Sequence, residues 1–287
     1  MKAKGLYVGL IAIGLFATAC GSDEKEATST AAPAATGVDC KPVKAGVLTV
    51  VTSLPGPNFW GTTAAEVDPD AIKSGIEFDL VTKIAEKCGL KMEFRNEDFG
   101  AMVAGQIDPT SYDIAFAQVT ITEDRAKVVD FSVGYFKSDQ GLLVKKGTAV
   151  GSWDDVKALS IGVMASTTAE YYVTSGEKPG WQLDNVKSFP DLVSTYAALN
   201  AGQVDGVLID TPINLGQAAQ SGGGQEVVAQ FSTGEEYGAL YGKDNGKKAI
   251  LDPVLQGLID DGTVNALIAK YLGGDPSTVP VVAVPAG

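Results

Sequence analysis

A nearly continuous apolar run, Tyr112 to Val119, constrains this chain most. A strand with no polar face has nothing to offer water, so it belongs in a sheet covered on both sides, as parallel sheets are. Its surroundings repeat the pattern. Gly46–Thr52 is β-branched and apolar, Leu90, Met92 and Phe94 alternate with polar residues, and Ser160–Met164 and Val204–Ile209 are further strand-like runs. Helix-like segments lie between them. Leu80, Val81, Ile84, Ala85 and Cys88 fall at helical spacing with Gly89 at the stop. Ser152 and Asp155 have capping-box spacing, Ser166–Tyr172 opens a helix, and Thr211-Pro212 supplies an N-cap and a first-turn proline. Closing helices are expected near Ile250–Asp260, where Pro253 implies a late start or a kink, and at Val264–Leu272. Strands alternating with helices predict an α/β fold built on parallel sheets.

The 287 residues suggest two compact units, or one large one. With 22 basic and 35 acidic residues the net charge is −13, the wrong sign for neutralising phosphates, so no nucleic-acid partner is expected. Histidine is absent, which removes His-based triads, His-ligated zinc and His acid–base catalysis. The three cysteines, at 20, 40 and 88, are too scattered for a thiolate cluster. No metal or cofactor is expected.

The N-terminus reads as an address. Lys2 and Lys4 precede an uncharged, mostly apolar run from Gly5 to Ala19. It is shorter than the ~20 residues of a membrane span and suits the apolar core of a signal peptide, residues 1–20. The ending Ala17-Thr18-Ala19-Cys20 resembles the lipobox of bacterial lipoproteins, with Cys20 as the lipidated residue, although Leu is commoner where Ala17 stands. The alternative is an ordinary secretory signal with an incidental Cys. Residues 21–39 are rich in Ala, Ser, Thr and Pro and predict a flexible tether. The rest of the chain is expected to be extracytoplasmic. In an oxidising compartment the remaining pair, Cys40 and Cys88, suits a disulfide; two free thiols is the open alternative.

In open α/β sheets ligands sit beyond the carboxyl ends of strands, against helix N-termini. Three such junctions carry suggestive side chains. Gln118–Arg125 brings Thr120 and Thr122 hydroxyls and the Arg125 guanidinium to a helix start, a receptor for a carboxylate. Ser166, Thr167 and Thr168 enter another helix, a second anion cradle. Asp210 ends an apolar strand and suits an ammonium group. Each feature also reads as plain helix capping. Together they describe a receptor for a zwitterion.

The stretches Gly75–Leu80, Tyr112–Arg125, Val129–Phe136, Ile161–Thr168, Val204–Asp210 and Tyr237-Gly238 resemble the extracytoplasmic solute-binding proteins, family 3, which deliver polar amino acids to ABC importers. The resemblance runs from about Gly46 to Gly273. It implies a two-lobed periplasmic-binding-protein-like clamshell of type II. Lobe one would be residues 40–134 and 238–274, lobe two 140–232, and 275–287 a C-terminal tail. Two crossings, at Tyr135–Asp139 and Thr233–Tyr237, would join the lobes. By the same likeness Arg125 and Thr120 hold the ligand carboxylate, and the Thr167/Thr168 helix start closes on it. Asp210 holds the ammonium, helped by the Gln118 carbonyl. Ser53, Phe59, Ile76 and Ile209 are expected side-chain contacts. No carboxylate stands among these four, which disfavours a Lys or Arg ligand. The implied partners are the small ligand, the membrane subunits of an ABC importer and, through lipid, the membrane; the chain is expected to be a monomer. Two other classes are weighed. An enzyme of this fold would need Glu77, Glu170 or Asp210 as acid or base. A sensory ectodomain would need a membrane span and an output domain, which the sequence does not supply. Without His, affinity is expected to be nearly flat between about pH 6 and 8.

Overall fold

The computed structural model describes residues 37–61 and 66–286. The expected signal peptide, Cys20 and most of the tether lie outside the described residues. In chain order the elements are β1 (Val47–Thr52), α1 (Ile76–Lys87), β2 (Lys91–Asn96), α2 (Phe99–Val103), β3 (Ile114–Ala115), α3 (Glu123–Ala126) and β4 (Val129–Lys145). There follow α4 (Trp153–Lys157), β5 (Ile161–Met164), α5 (Thr168–Thr174), β6 (Val186–Phe189), α6 (Leu192–Asn200) and β7 (Gly206–Asp210). The last are α7 (Thr211–Gln220), β8 (Gln225–Gly242), α8 (Lys247–Asp260) and α9 (Thr263–Tyr271).

The strands form one mixed sheet in the order β2-β1-β3-β8-β4-β7-β5-β6. β1 runs parallel to β2 and β3, and β5 runs parallel to β6 and β7, so each half of the sheet has its own parallel set. Between the sets, β4 and β8 form a long antiparallel ladder from Val129↔Gly242 to Lys145↔Gln225. Where they cross from one half to the other, Phe136, Lys137 and Ser138 stand opposite Tyr237, Glu236 and Glu235. The segments expected to carry the crossings are therefore one paired ladder.

Two hydrophobic cores follow from this layout. The larger gathers Leu48 and Val50 of β1, Ile76, Leu80 and Ile84 of α1, Ile114 of β3, and Leu251 and Leu255 of α8. The other gathers Leu142 and Val144 of β4, Ile161 and Val163 of β5, Trp153, Trp181 and Phe231. α1 forms because its apolar residues recur at helical spacing over one face, with Glu77 and Asp79 in its first turn and Lys87 in its last complementing the helix dipole. α4 carries the full capping box: Ser152 accepts from the Asp155 backbone while Asp155 accepts from the Ser152 backbone. α8 runs through Pro253 and starts earlier than the sequence suggests, at Lys247.

Cys40 and Cys88 are disulfide-bonded, with Cα atoms 5.6 Å apart and a sequence separation of 48. The bond ties the chain ahead of β1 to the end of α1. In the chain-entropy model a loop of that size is worth about 4 kcal/mol. Nearby, the Lys247 ammonium pairs with the buried Asp113 carboxylate at 2.6 Å, and Asp113 also accepts from the backbone N–H groups of Val43 and Thr49. One carboxylate thus joins the N-terminal segment, β1, the entry to β3 and α8. The stretch expected as a C-terminal tail is packed against β8. The Gln230 N–H donates to the Pro280 carbonyl, the Val282 N–H donates to the Gln230 carbonyl, and Val279 and Val282 are buried.

Candidate functional site

The carboxyl ends of both parallel sets face one cavity of about 440 Å³. From the first half come Ser53, Leu54 and Pro55 after β1, Asn96–Phe99 after β2, and Ala117, Gln118 and Thr120 after β3, followed by Arg125 of α3. From the second come Met164, Thr167 and Thr168 after β5, Pro190–Val193 after β6, and Ile209 and Asp210 of β7 with Ile213. The strand-end rule for α/β sheets therefore holds in both halves at once.

Arg125 sits where the halves meet. Thr122 caps α3 by accepting from the Arg125 backbone N–H at 3.2 Å. The side chain turns back instead of entering solvent. Its Nη1 donates to the Thr120 carbonyl at 2.8 Å, and its Nη2 donates to the Ser166 carbonyl at 2.9 Å, reaching into the second half. The guanidinium carbon lies 5.6 Å from the centre of the Phe99 ring, within cation–π range. Burial pulls the guanidinium pKa down, and the negative charges of Asp210 and Glu235 push it back up.

Asp210 makes no side-chain cap to α7. Its carboxylate accepts from Gln140 Nε2 at 2.5 Å and from the Tyr237 hydroxyl at 2.5 Å. Burial first, and the like charge of Glu235 second, raise its pKa to about 7; the bonds from Tyr237 and Gln140 and the Arg125 charge oppose the rise. Thr167 and Thr168 divide the work at the α5 start. The Thr167 hydroxyl accepts from the Glu170 N–H, capping the helix, and donates to the Met164 carbonyl. Thr168 faces the cavity, with its hydroxyl 3.3 Å from Gln140 Nε2.

Gln118 holds a left-handed backbone, φ 51°, which costs a side-chain-bearing residue roughly 1 kcal/mol. The turn aims its N–H at Glu77 Oε1, 2.9 Å away, while its amide Nε2 donates to Glu77 Oε2. Trp60 Nε1 and the Tyr135 hydroxyl donate to the same buried carboxylate. Burial raises the Glu77 pKa to about 7 against these four bonds. Glu77 is thus the clamp under Gln118 and does not line the cavity.

Of the residues singled out in the sequence, Arg125, Thr120, Gln118, Thr167, Thr168, Asp210, Ser53 and Ile209 line this one cavity. Phe59 and Ile76 do not. Both are fully buried in the larger core, Phe59 packing edge-on against Phe136 and Tyr237. The expectation that they contact a ligand is corrected by that packing. Glu170 is also outside the lining, held by the Ser166 N–H and Ser188, so Glu77, Glu170 and Asp210 do not meet as an acid–base set. Sequence reasoning missed Asn96–Phe99 and Pro190–Val193. The signals were present. Asp98 before Phe99, Met102 and Val103, and Asp191 before Leu192, Tyr196 and Leu199, are N-caps ahead of helically spaced apolar residues. These segments bring Glu97, Asp98 and Asp191 to the lining, carboxylates beyond the four side-chain contacts on which the sequence disfavours a Lys or Arg ligand. Glu97 pairs with Arg95 at 2.7 Å, while Asp98 and Asp191 cap α2 and α6.

Two parallel sets joined by crossing antiparallel strands, with a polar cavity between their carboxyl ends, define a two-lobed α/β solute-binding protein. The model of the bacterial extracellular solute-binding proteins, family 3, matches residues 64–274, and the chain belongs to that family. The L-cystine-binding protein TcyJ of Escherichia coli (strain K12) is 28% identical over 210 residues, 72% of this chain and 77% of the relative. The ABC transporter glutamine-binding protein GlnH of Bacillus subtilis (strain 168) is 31% identical over 170 residues, 58% of this chain and 59% of the relative. Among solved structures, an ancestral arginine-binding protein bound to arginine is similar with a TM-score of 0.68 and 31% identity, over 79% of this chain and 99% of that one. Members of the family bind solutes for transport and are not enzymes. The family is extracytoplasmic, and among the described residues no helix is long and apolar enough to cross a membrane.

Proposed function

We propose that the cavity captures a polar L-amino acid between two lobes and that the protein hands it to the membrane subunits of an ABC importer. The observation that carries this reading is the pair lining one cavity: the Arg125 guanidinium on α3, the helix that follows β3, and the buried Asp210 carboxylate at the carboxyl end of β7. Arg125, with Thr120 and the Thr168 hydroxyl, takes the ligand carboxylate. Asp210 and the Gln118 carbonyl take the ammonium. Ser53 and Ile209 meet the side chain. The lobes are residues 40–134 with 238–274, and 140–232. Relatives named for cystine and glutamine, and a similar structure with arginine bound, support the ligand class. With Glu97, Asp98 and Asp191 at the lining, a cationic side chain is no longer disfavoured. Lipidation at Cys20 would tether the protein, acting as a monomer, to the outer face of the cell membrane. Cys20→Ser should then release it from the membrane fraction, and unchanged partitioning would rule the anchor out.

A thermal-shift screen of the twenty amino acids and L-cystine tests the ligand class. A ligand at 100 times its dissociation constant stabilises by about 2.7 kcal/mol, and no shift with any of them would end the reading. Burial and the Glu235 charge raise the Asp210 pKa, so a pH-dependent affinity is the expected outcome in place of the flat one read from the absence of His. An ammonium needs Asp210 ionised, so affinity is full above the pKa of about 7 and is lost as pH falls through it. Binding should be about tenfold tighter at pH 8 than at pH 6. Calorimetry at the two values, with equal affinities, would contradict it.

A further inference from the structure

Asp210 is not the only carboxylate on its amide. Gln140 Nε2 donates to Asp210 Oδ1 at 2.5 Å and to Glu235 Oε2 at 2.7 Å, using both of its hydrogens. Gln140 is fully buried, its Oε1 makes no hydrogen bond among the described residues, and the Thr168 hydroxyl is a longer third contact of Nε2 at 3.3 Å, so the two carboxylates are the close partners that orient the amide. Glu235 is buried too, outside the lining of the main cavity, and stands opposite Ser138 where β4 and β8 cross between the halves. It also accepts from Thr233 Oγ1 at 2.8 Å and from the Tyr172 hydroxyl at 3.3 Å.

We propose that Glu235 is a positioning residue of the ammonium half of the site, acting on Asp210 through the Gln140 amide that they share. The inference rests on reading Asp210 as the ammonium partner. Two acidic groups held by one amide have little positive charge to balance them. The charged and titratable groups around the pair are Arg125 from α3, Asp139 from β4, whose carboxylate holds the Thr233 and Gly234 N–H groups, Tyr172 from α5, Lys178 beyond α5, Tyr196 from α6 and Tyr237 from β8. Of these only Arg125 and Lys178 are cationic. In the empty site the Glu235 charge works against ionised Asp210. In the filled site it adds to the attraction for the ligand ammonium. Glu235 therefore makes the site demand a cationic centre without touching the ligand.

Such a residue leaves a mark that a merely structural one does not. Removing its charge eases ionisation of Asp210, which helps binding on the acid side, and removes attraction, which weakens binding on the alkaline side. The test uses the whole chain with L-arginine, L-glutamine, L-histidine and L-cystine as probes in parallel, titrated from pH 5 to 9. In Glu235→Gln the midpoint of the affinity profile should move to lower pH by about one unit or more, and its profile should cross that of wild type. Glu235→Asp, which keeps the charge, should retain the wild-type midpoint. An unmoved midpoint in Glu235→Gln, or Glu235→Asp behaving as Glu235→Gln, would overturn the proposal. A second arm needs no ligand. Carbon-detected NMR should show the Asp210 carboxyl titrating at lower pH in Glu235→Gln than in wild type. An NMR shift with none of the four probes bound would count against the amino-acid reading and leave the carboxylate coupling supported. Binding with no NMR shift would refute the coupling alone.

Discussion

Arg125→Ala and Asp210→Ala are each expected to raise the dissociation constant of the bound amino acid by roughly 30-fold to a few thousand-fold. Removing one partner of a buried, hydrogen-bonded charge pair costs about 2–5 kcal/mol, and each 1.4 kcal/mol is a decade. The two losses have different origins. Asp210 carries the charge that meets the ammonium, and it is held by Gln140 and Tyr237. Arg125 spans the halves through the Thr120 and Ser166 carbonyls, so it also sets how they meet. Arg125→Lys should recover little, because a point charge cannot reproduce a planar fork that serves two carbonyls and a ligand. Calorimetry on folded variants checks this, and an affinity within threefold of wild type for either alanine variant would contradict it.

The largest loss of stability is expected at Asp113. Asp113→Ala should cost about 3–5 kcal/mol in chemical denaturation, because it leaves the largely buried Lys247 ammonium without an opposite charge, with the Lys41 carbonyl left to accept from it. It also leaves the Val43 and Thr49 N–H groups without their acceptor. Adding Lys247→Met to Asp113→Ala should return part of the loss, since a stranded charge is worse than an apolar side chain of similar length. The return should be incomplete, because the two N–H groups stay unpaired. If Asp113→Ala costs under 1 kcal/mol, or the double variant is less stable than the single, the buried-pair account of this corner is wrong.

Much of this molecule is legible locally. α1, α4 and β5 follow from spacing, a capping box and a β-branched run, each contained within about a dozen residues. β4 and β8 are not legible in that way. A strand that leaves one core and enters another changes which face it buries, and register shifts between Phe131 and Leu143 break the alternation further. β6 escapes for a simpler reason: it is an edge strand with no buried side chain, so it carries no apolar signal. With β6 unseen, the loop after it was unseen too, and Asp191 with it.

The site shows the same division. Arg125, Thr168 and Asp210 could be found because each stands at a junction between an apolar strand and the first turn of a helix. Their partners could not, because Gln140, Glu235 and Tyr237 come from the crossing ladder, far away in sequence. The absence of His suggested a site indifferent to pH near neutrality. It is burial, together with the second carboxylate beside it, that moves Asp210 into that range. Phe59 and Ile76 show the opposite error. Both stand near a strand end or helix start, yet both point into the core, and nothing in a linear sequence distinguishes a strand-end residue that faces a cavity from one that faces a core.

The claim that Arg125 and Asp210 together form a zwitterion receptor is tested most directly with the ligand itself. The amino acid giving the largest thermal shift should be titrated by calorimetry at pH 8 beside its decarboxylated amine and its deaminated acid. Each analogue lacks one of the two charges, and each should bind at least about 30-fold more weakly than the parent. Either analogue binding with the affinity of the parent would contradict the account.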